Sequence, residues 1–221
     1  MGRSSKPTRR ELEEDRFLEW ILEAGDYVRE RAQLFILGAV GVVAVVFVAS
    51  YLQTSRETAR IEASALLGRV LIAESNGQAD EGLRLSEQLI DLYPGTPAAA
   101  QGLVQLGNRY YSRGRYAEAE QQFQRYLDEH ADVDVLTYAA WSGIASCYES
   151  RGDFAGAATS YMAYADQKPD DLQSALALLD AARCYRLAGN RAHEKQTLER
   201  LARDHAQSPL AARARSQLSM L

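Results

Sequence analysis

Four glycines recur at nearly constant spacing in matching surroundings, and no other feature restricts the fold as tightly. They sit in SNGQADEG at Gly77, SRGRYAEA at Gly114, SRGDFAGA at Gly152 and LAGNRAHE at Gly189, spaced 37, 38 and 37 residues apart. A tyrosine stands four residues before three of them, as Tyr110, Tyr148 and Tyr185. Helical patterns flank each glycine, so every unit reads as helix, tight turn, helix, with glycine suited to the positive φ that ends a first helix. One such pair leaves its apolar faces in water; stacking successive pairs covers them. The expected fold class is all-α, with an α-solenoid over residues 65–221.

The finer pattern resembles the tetratricopeptide repeat (TPR), whose first helix reads W-x2-L-G-x2-Y. The third unit has Trp141-x2-Ile144-Ala145-x2-Tyr148, then Gly152, Ala157, Tyr161 and Pro169. The second has Leu103-x2-Leu106-Gly107-x2-Tyr110, then Gly114, Ala119 and Phe123. The fourth has Leu178-x2-Ala181-Ala182-x2-Tyr185, Gly189 and Leu198, but Glu194 stands where a small residue is expected. The first keeps Leu66, Gly77, Gly82, Leu89 and Pro94 and carries Ala73 in place of the tyrosine, so it is degenerate. Small residues at the crossing let two helices approach, while large aromatic ones fill the space around them. Between units, Thr96-Pro97 and Ser208-Pro209 each place an N-cap before a proline at the first helical position. Residues 209–221 give a final helix suited to capping the stack.

A second feature lies before the repeats. Leu34 to Leu52 is a run of nineteen residues without a charge, in a chain that is 25% charged. As a helix it reaches roughly 28 Å at about 1.5 Å per residue, close to the hydrocarbon thickness of a bilayer. A helix buried in a soluble domain would show a polar face over that length. Val48-Ala49-Ser50 resembles a signal-peptide cleavage site, but thirty-three residues with eight acids precede the run, unlike a short basic leader. The expectation is an uncleaved single-pass transmembrane helix at 34–52, with a tail at 1–33 and a connector at 53–64. The tail carries seven basic residues, whereas only Arg56 and Arg60 follow within fifteen residues of the span. The positive-inside rule then places the N-terminus in the cytoplasm and the repeats on the outer, periplasmic side of a bacterial inner membrane. In the tail, Thr8-x-x-Glu11 is a capping box, and Phe17, Trp20, Ile21, Ala24 and Val28 share one face of a juxtamembrane helix.

Together, Arg16-Phe17-Leu18, the span and the repeats from about Leu66 resemble the membrane-anchored TPR family that includes the ancillary subunit of the bacterial Sec translocon. That resemblance implies a short cytoplasmic tail, one membrane helix and a periplasmic TPR-like domain near translocating proteins. YPGTPAA and AARARSQL also resemble periplasmic TPR proteins of envelope assembly and cell division. Those are typically lipoproteins or cleaved, and an uncleaved anchor departs from them.

Signs of chemistry are few. Cys147 and Cys184 occupy equivalent places on first helices; an oxidising compartment permits a bridge, but helix axes about 8–10 Å apart disfavour one, so two buried thiols are expected. His130, His193 and His205 lack metal-ligand spacing, and Asp170-Asp171 reads as turn and cap. There is no phosphate loop or nucleophile elbow, so neither enzyme activity nor a cofactor or metal is expected. The net charge of −5 argues against nucleic acid. Function therefore rests on surface. The TPR resemblance implies that first helices line a groove, here at Asn108, Tyr111, Ser142, Ser146, Glu149, Arg183 and Arg186. Arg183 and Arg186 suit an acidic peptide. The family's carboxylate clamp is unsupported, because Val104 stands where a lysine is needed. On the span, Gly38, Gly41 and Ala44 form a small-residue face for an intramembrane partner. Three readings follow, the first two a membrane-anchored scaffold that captures protein partners and an accessory subunit fixed in a large hetero-oligomeric membrane complex. A soluble protein released by cleavage is the third.

Overall fold

The computed structural model describes residues 32–130 and 134–221, which form nine α-helices. These are α1 (Ala32–Ser75), α2 (Ala79–Leu92), α3 (Pro97–Ser112), α4 (Tyr116–His130), α5 (Asp134–Ser150), α6 (Phe154–Gln167), α7 (Ser174–Leu187), α8 (Arg191–Asp204) and α9 (Pro209–Leu218). No strand occurs among the described residues. The all-α solenoid expected from the glycine spacing is the fold observed. The amphipathic juxtamembrane helix expected in the tail lies outside the described residues.

The chain divides into two compact parts between Glu57 and Thr58. In the first, α1 carries the charge-free run, exposed from Ile36 to Leu52: Val40 is 62% and Phe47 71% exposed. The polar residues that end the run are satisfied within the helix, Ser50 Oγ donating to the Phe47 carbonyl and Thr54 Oγ1 to that of Ser50. Among the described residues this is the one helix long and apolar enough to cross a membrane.

In the second part, the end of α1 pairs with α2, α3 with α4, α5 with α6 and α7 with α8, and α9 closes the series. The first helices pack on one another, α3 on α5 and α7 on α9, as well as on their own partners. The stretch 53–64, set apart in the sequence as a connector, is helical throughout and already brings Ala63 into the core beside Leu66, Val70 and Leu89. The degenerate first unit therefore takes its first helix from the end of α1.

Each pair turns in the same way. Gly77, Gly114, Gly152 and Gly189 have φ between 71° and 79°. The amide after each glycine donates to the carbonyl four residues before it, at Ala73, Tyr110, Tyr148 and Tyr185, over 2.8–2.9 Å. This is the six-residue closure that ends a helix at a left-handed glycine. The expected N-caps form as well: Thr96 Oγ1 accepts from the Ala99 amide and Ser208 Oγ from the Leu210 amide, each at 3.2 Å.

Packing depends on a missing side chain. Phe123 of α4 is fully buried between α3 and α5. A Cβ on Gly107 would lie 2.7 Å from its ring and one on Gly143 2.6 Å, so only glycine on both flanks admits the phenylalanine. Where a second helix crosses its first, Ala119 and Ala157 fill the small-residue position without exposure. In the fourth pair that place holds Glu194, 2% exposed, with Oε2 unbonded and Oε1 3.9 Å from Arg186.

Candidate binding surface

The expected groove residues lie on the first helices of three successive pairs: Asn108 and Tyr111 on α3, Ser142, Ser146 and Glu149 on α5, Arg183 and Arg186 on α7. The fold joins some of them and separates others. The Tyr111 hydroxyl lies 2.9 Å from Ser150 Oγ and ties α3 to α5. Arg183 grips Glu149 with both terminal guanidinium nitrogens, at 2.6 and 2.9 Å, and ties α7 to α5. Arg183 Nε also reaches Asp180 at 3.3 Å, and the Tyr161 hydroxyl donates to Glu149 at 3.3 Å. Ser142 and Ser146 spend their hydroxyls on the carbonyls of Ala139 and Ser142 in their own helix. Arg186 is half exposed and only loosely paired with Glu194. Asn108 is exposed and makes no side-chain hydrogen bond among the described residues.

Electrostatics follow from that pairing. The Arg183 guanidinium holds the Glu149 carboxyl below its ordinary range. Burial raises Asp180, and the pull of Arg183 does not offset it. Burial also pushes the Tyr138 hydroxyl up to about 12, the Cys184 thiol to about 12 and the Cys147 thiol to about 11. Both thiols are free, buried and protonated at neutral pH, and so poor nucleophiles. Among the described residues, no cluster of His, Cys, Asp and Glu has the makings of a metal site.

Arg183 is thus engaged inside the fold, contrary to the expectation that it stands ready for an acidic peptide. Sequence reading placed Glu149 and the two arginines on first helices but missed Asp180, Tyr161 and the pairing of Arg183 with Glu149. The signal was there in part: Glu149 and Arg183 are 34 residues apart, close to one repeat. That spacing recurs. Arg113 meets Asp80 at 3.0 Å, Arg151 meets Glu120 at 2.5 Å, and Arg200 meets Asp166. Arg109 pairs with Glu74 and donates to the Gly82 carbonyl and Ser86 Oγ at 2.6 and 2.7 Å. In every case an arginine reaches back to an acid of the pair before it.

Stacked helix pairs, repeated glycine turns and arginines that bridge one pair to the next define a helical-repeat solenoid. Family models described as tetratricopeptide repeat match residues 67–134, 104–171 and 176–208, together more than half of the chain. The chain belongs to the tetratricopeptide-repeat proteins. Solved structures agree at the level of the fold. A tetratricopeptide repeat protein from Parabacteroides merdae is 17% identical with a TM-score of 0.55, over 71% of this chain and 58% of that one. Nearly identical TPR-like repeats from Podosopora anserina are 16% identical with a TM-score of 0.52, over 72% and 84%. BtubC from P. vanneervenii is 13% identical with a TM-score of 0.53, over 66% and 63%. No curated protein sequence matches the chain.

Proposed function

We propose that this protein is a non-enzymatic, membrane-anchored TPR scaffold that binds other proteins on the outer, periplasmic side of a bacterial inner membrane, close to polypeptides being translocated or assembled. The observation that carries this reading is the double use of α1. Its charge-free run is exposed and long enough to span a bilayer, and from Ala63 to Ala73 the same helix supplies core residues to the first repeat pair. A repeat array of this kind works through the surface that its stacked helices present.

A second reading makes the protein a permanent subunit of a large membrane complex. Gly38, Gly41 and Ala44 favour it, since they leave one side of the span open to a neighbouring helix; among the described residues a Cβ on either glycine would meet nothing within 4 Å. Purification of the full chain in mild detergent separates the two. Companions that dissociate in high salt support transient capture, and a stoichiometric set that survives salt supports the permanent subunit. Recovery without any companion, even after crosslinking in intact cells, contradicts both.

A further inference from the structure

Alignment of the helix pairs on their turn glycines sets Ala65 of α1 level with Gly102, Ala140 and Ala177, and Gly68 level with Gly143. In the inner pairs this face receives the second helix of the pair before. A Cβ on Gly102 would lie 3.1 Å from Leu89 of α2, and one on Gly143 2.6 Å from Phe123 of α4; Ala140 and Ala177 are fully buried. In α1, Ala65 and Gly68 repeat the small residues of the third pair, Ala140 and Gly143, whereas the second and fourth pairs carry Gln105 and Asp180 level with Gly68; among the described residues nothing stands on the α1 face. Gly68 has no atom within 4 Å of its Cβ position, and Ile61 and Ile72, to either side, are 71% and 61% exposed. Among residues other than proline, glycine is the least favourable in a helix interior. At Gly143 the close seat of Phe123 offsets that cost, and at Gly68 nothing among the described residues does.

Ile61, Ala65, Gly68 and Ile72 follow one another at four, three and four residues, the spacing of a seam on which another helix lies. Two charges flank it. Glu62 accepts a hydrogen bond from the Tyr93 hydroxyl at 3.1 Å, whereas Arg69 makes no ion pair or hydrogen bond among the described residues and acts only through its charge, weakly, on Glu81 of α2. The positions level with Arg69 are Leu106 and Ile144, both buried, so Arg69 keeps this end of the stack wetted and offers a charge to whatever covers it.

We propose that this face of α1 docks one amphipathic helix of a partner protein, with a bulky leucine or aromatic side chain seated on Gly68 and an acidic side chain facing Arg69. The partner stands where a preceding repeat would supply its second helix. A second copy fits less well. Parallel self-pairing sets Arg69 level with Arg69, and head-to-tail stacking meets the exposed Arg213 and Arg215 of α9. The surface is separate from the face that carries Asn108, Glu149 and Arg186, and its use does not depend on the membrane anchor.

The test is a photoreactive benzoylphenylalanine in place of Ile72 in the full chain, expressed in its own cells, with crosslinked peptides sequenced by mass spectrometry. The expected product is a single peptide of another protein, helical in pattern, with a large apolar residue and an acid on one face. Gly68→Leu should cut its yield at least tenfold without lowering the melting temperature, since the added side chain enters open space, and Arg69→Glu should cut it too. Asn108→Ala, on the exposed face of α3, should leave it unchanged. A crosslink to this chain's own sequence or to lipid alone, the absence of a crosslink, or indifference to Gly68→Leu would overturn the proposal.

Discussion

Phe123 and the two glycines around it show how far a single side chain governs this fold. Gly107 was visible in the sequence because it occupies the small-residue place of the repeat pattern. Gly143 was not, because the pattern has no glycine there and only the neighbouring pair shows what it meets. Gly143→Ala should destabilise the protein by about 1–3 kcal/mol, as overpacking does, and Phe123→Ala by about 3–5 kcal/mol through the cavity it leaves. Urea titration followed by circular dichroism reads both. Glu194 behaves in the opposite sense. The sequence marked it as the exception to a small-residue rule, but only the structure shows a carboxyl 2% exposed with an unbonded oxygen. Glu194→Ala gives the fourth pair the residue the second and third already use, and should raise stability by about 1–2 kcal/mol. A loss of stability in the same titration would mean that Arg186 holds the carboxyl more firmly than a 3.9 Å separation implies.

At the scale of elements, the helices and turns were legible because they depend on local chemistry. The glycine turns, the Thr96 and Ser208 caps and the apolar faces each act within a few residues. What joins one pair to the next was not legible, since a side chain 14% exposed looks the same in sequence as a surface arginine. Arg109 is the case in point: it leaves α3 to bind Glu74 of α1 and Gly82 and Ser86 of α2. Its removal strands the Glu74 carboxylate and two polar groups of the first pair. Arg109→Ala should cost about 2–4 kcal/mol, in the range of broken, partly buried pairs, and should fall first on the degenerate pair. Hydrogen exchange should then show amides of residues 79–92 losing protection before those of α5 to α8. Uniform loss across the stack would show that the arginine bridge is not what holds the first pair in place.

For the whole molecule, buried acids that keep their protons set the alkaline limit. Cys147, Cys184 and Tyr138 have folded-state pKa values raised to about 11, 12 and 12 from ordinary values of 9.0, 9.0 and 10.0. The folded chain therefore binds more protons than the unfolded one above pH 9, and stability falls as pH rises through that range. The melting temperature should decline steadily from pH 9 to pH 11, and less so in a Cys147→Ala, Cys184→Ala variant. The same burial makes both thiols inert to maleimides in the folded state, so a cysteine placed elsewhere is labelled alone. The most direct measurement of an anchored scaffold uses this property. Ser5→Cys and Leu187→Cys variants are treated in permeabilised-envelope cells with a maleimide that cannot cross the inner membrane, and the membranes are then washed with alkaline carbonate. The protein is expected to stay with the membrane, with Leu187→Cys labelled and Ser5→Cys not. Release into the wash, or labelling at Ser5→Cys instead of Leu187→Cys, would contradict this expectation.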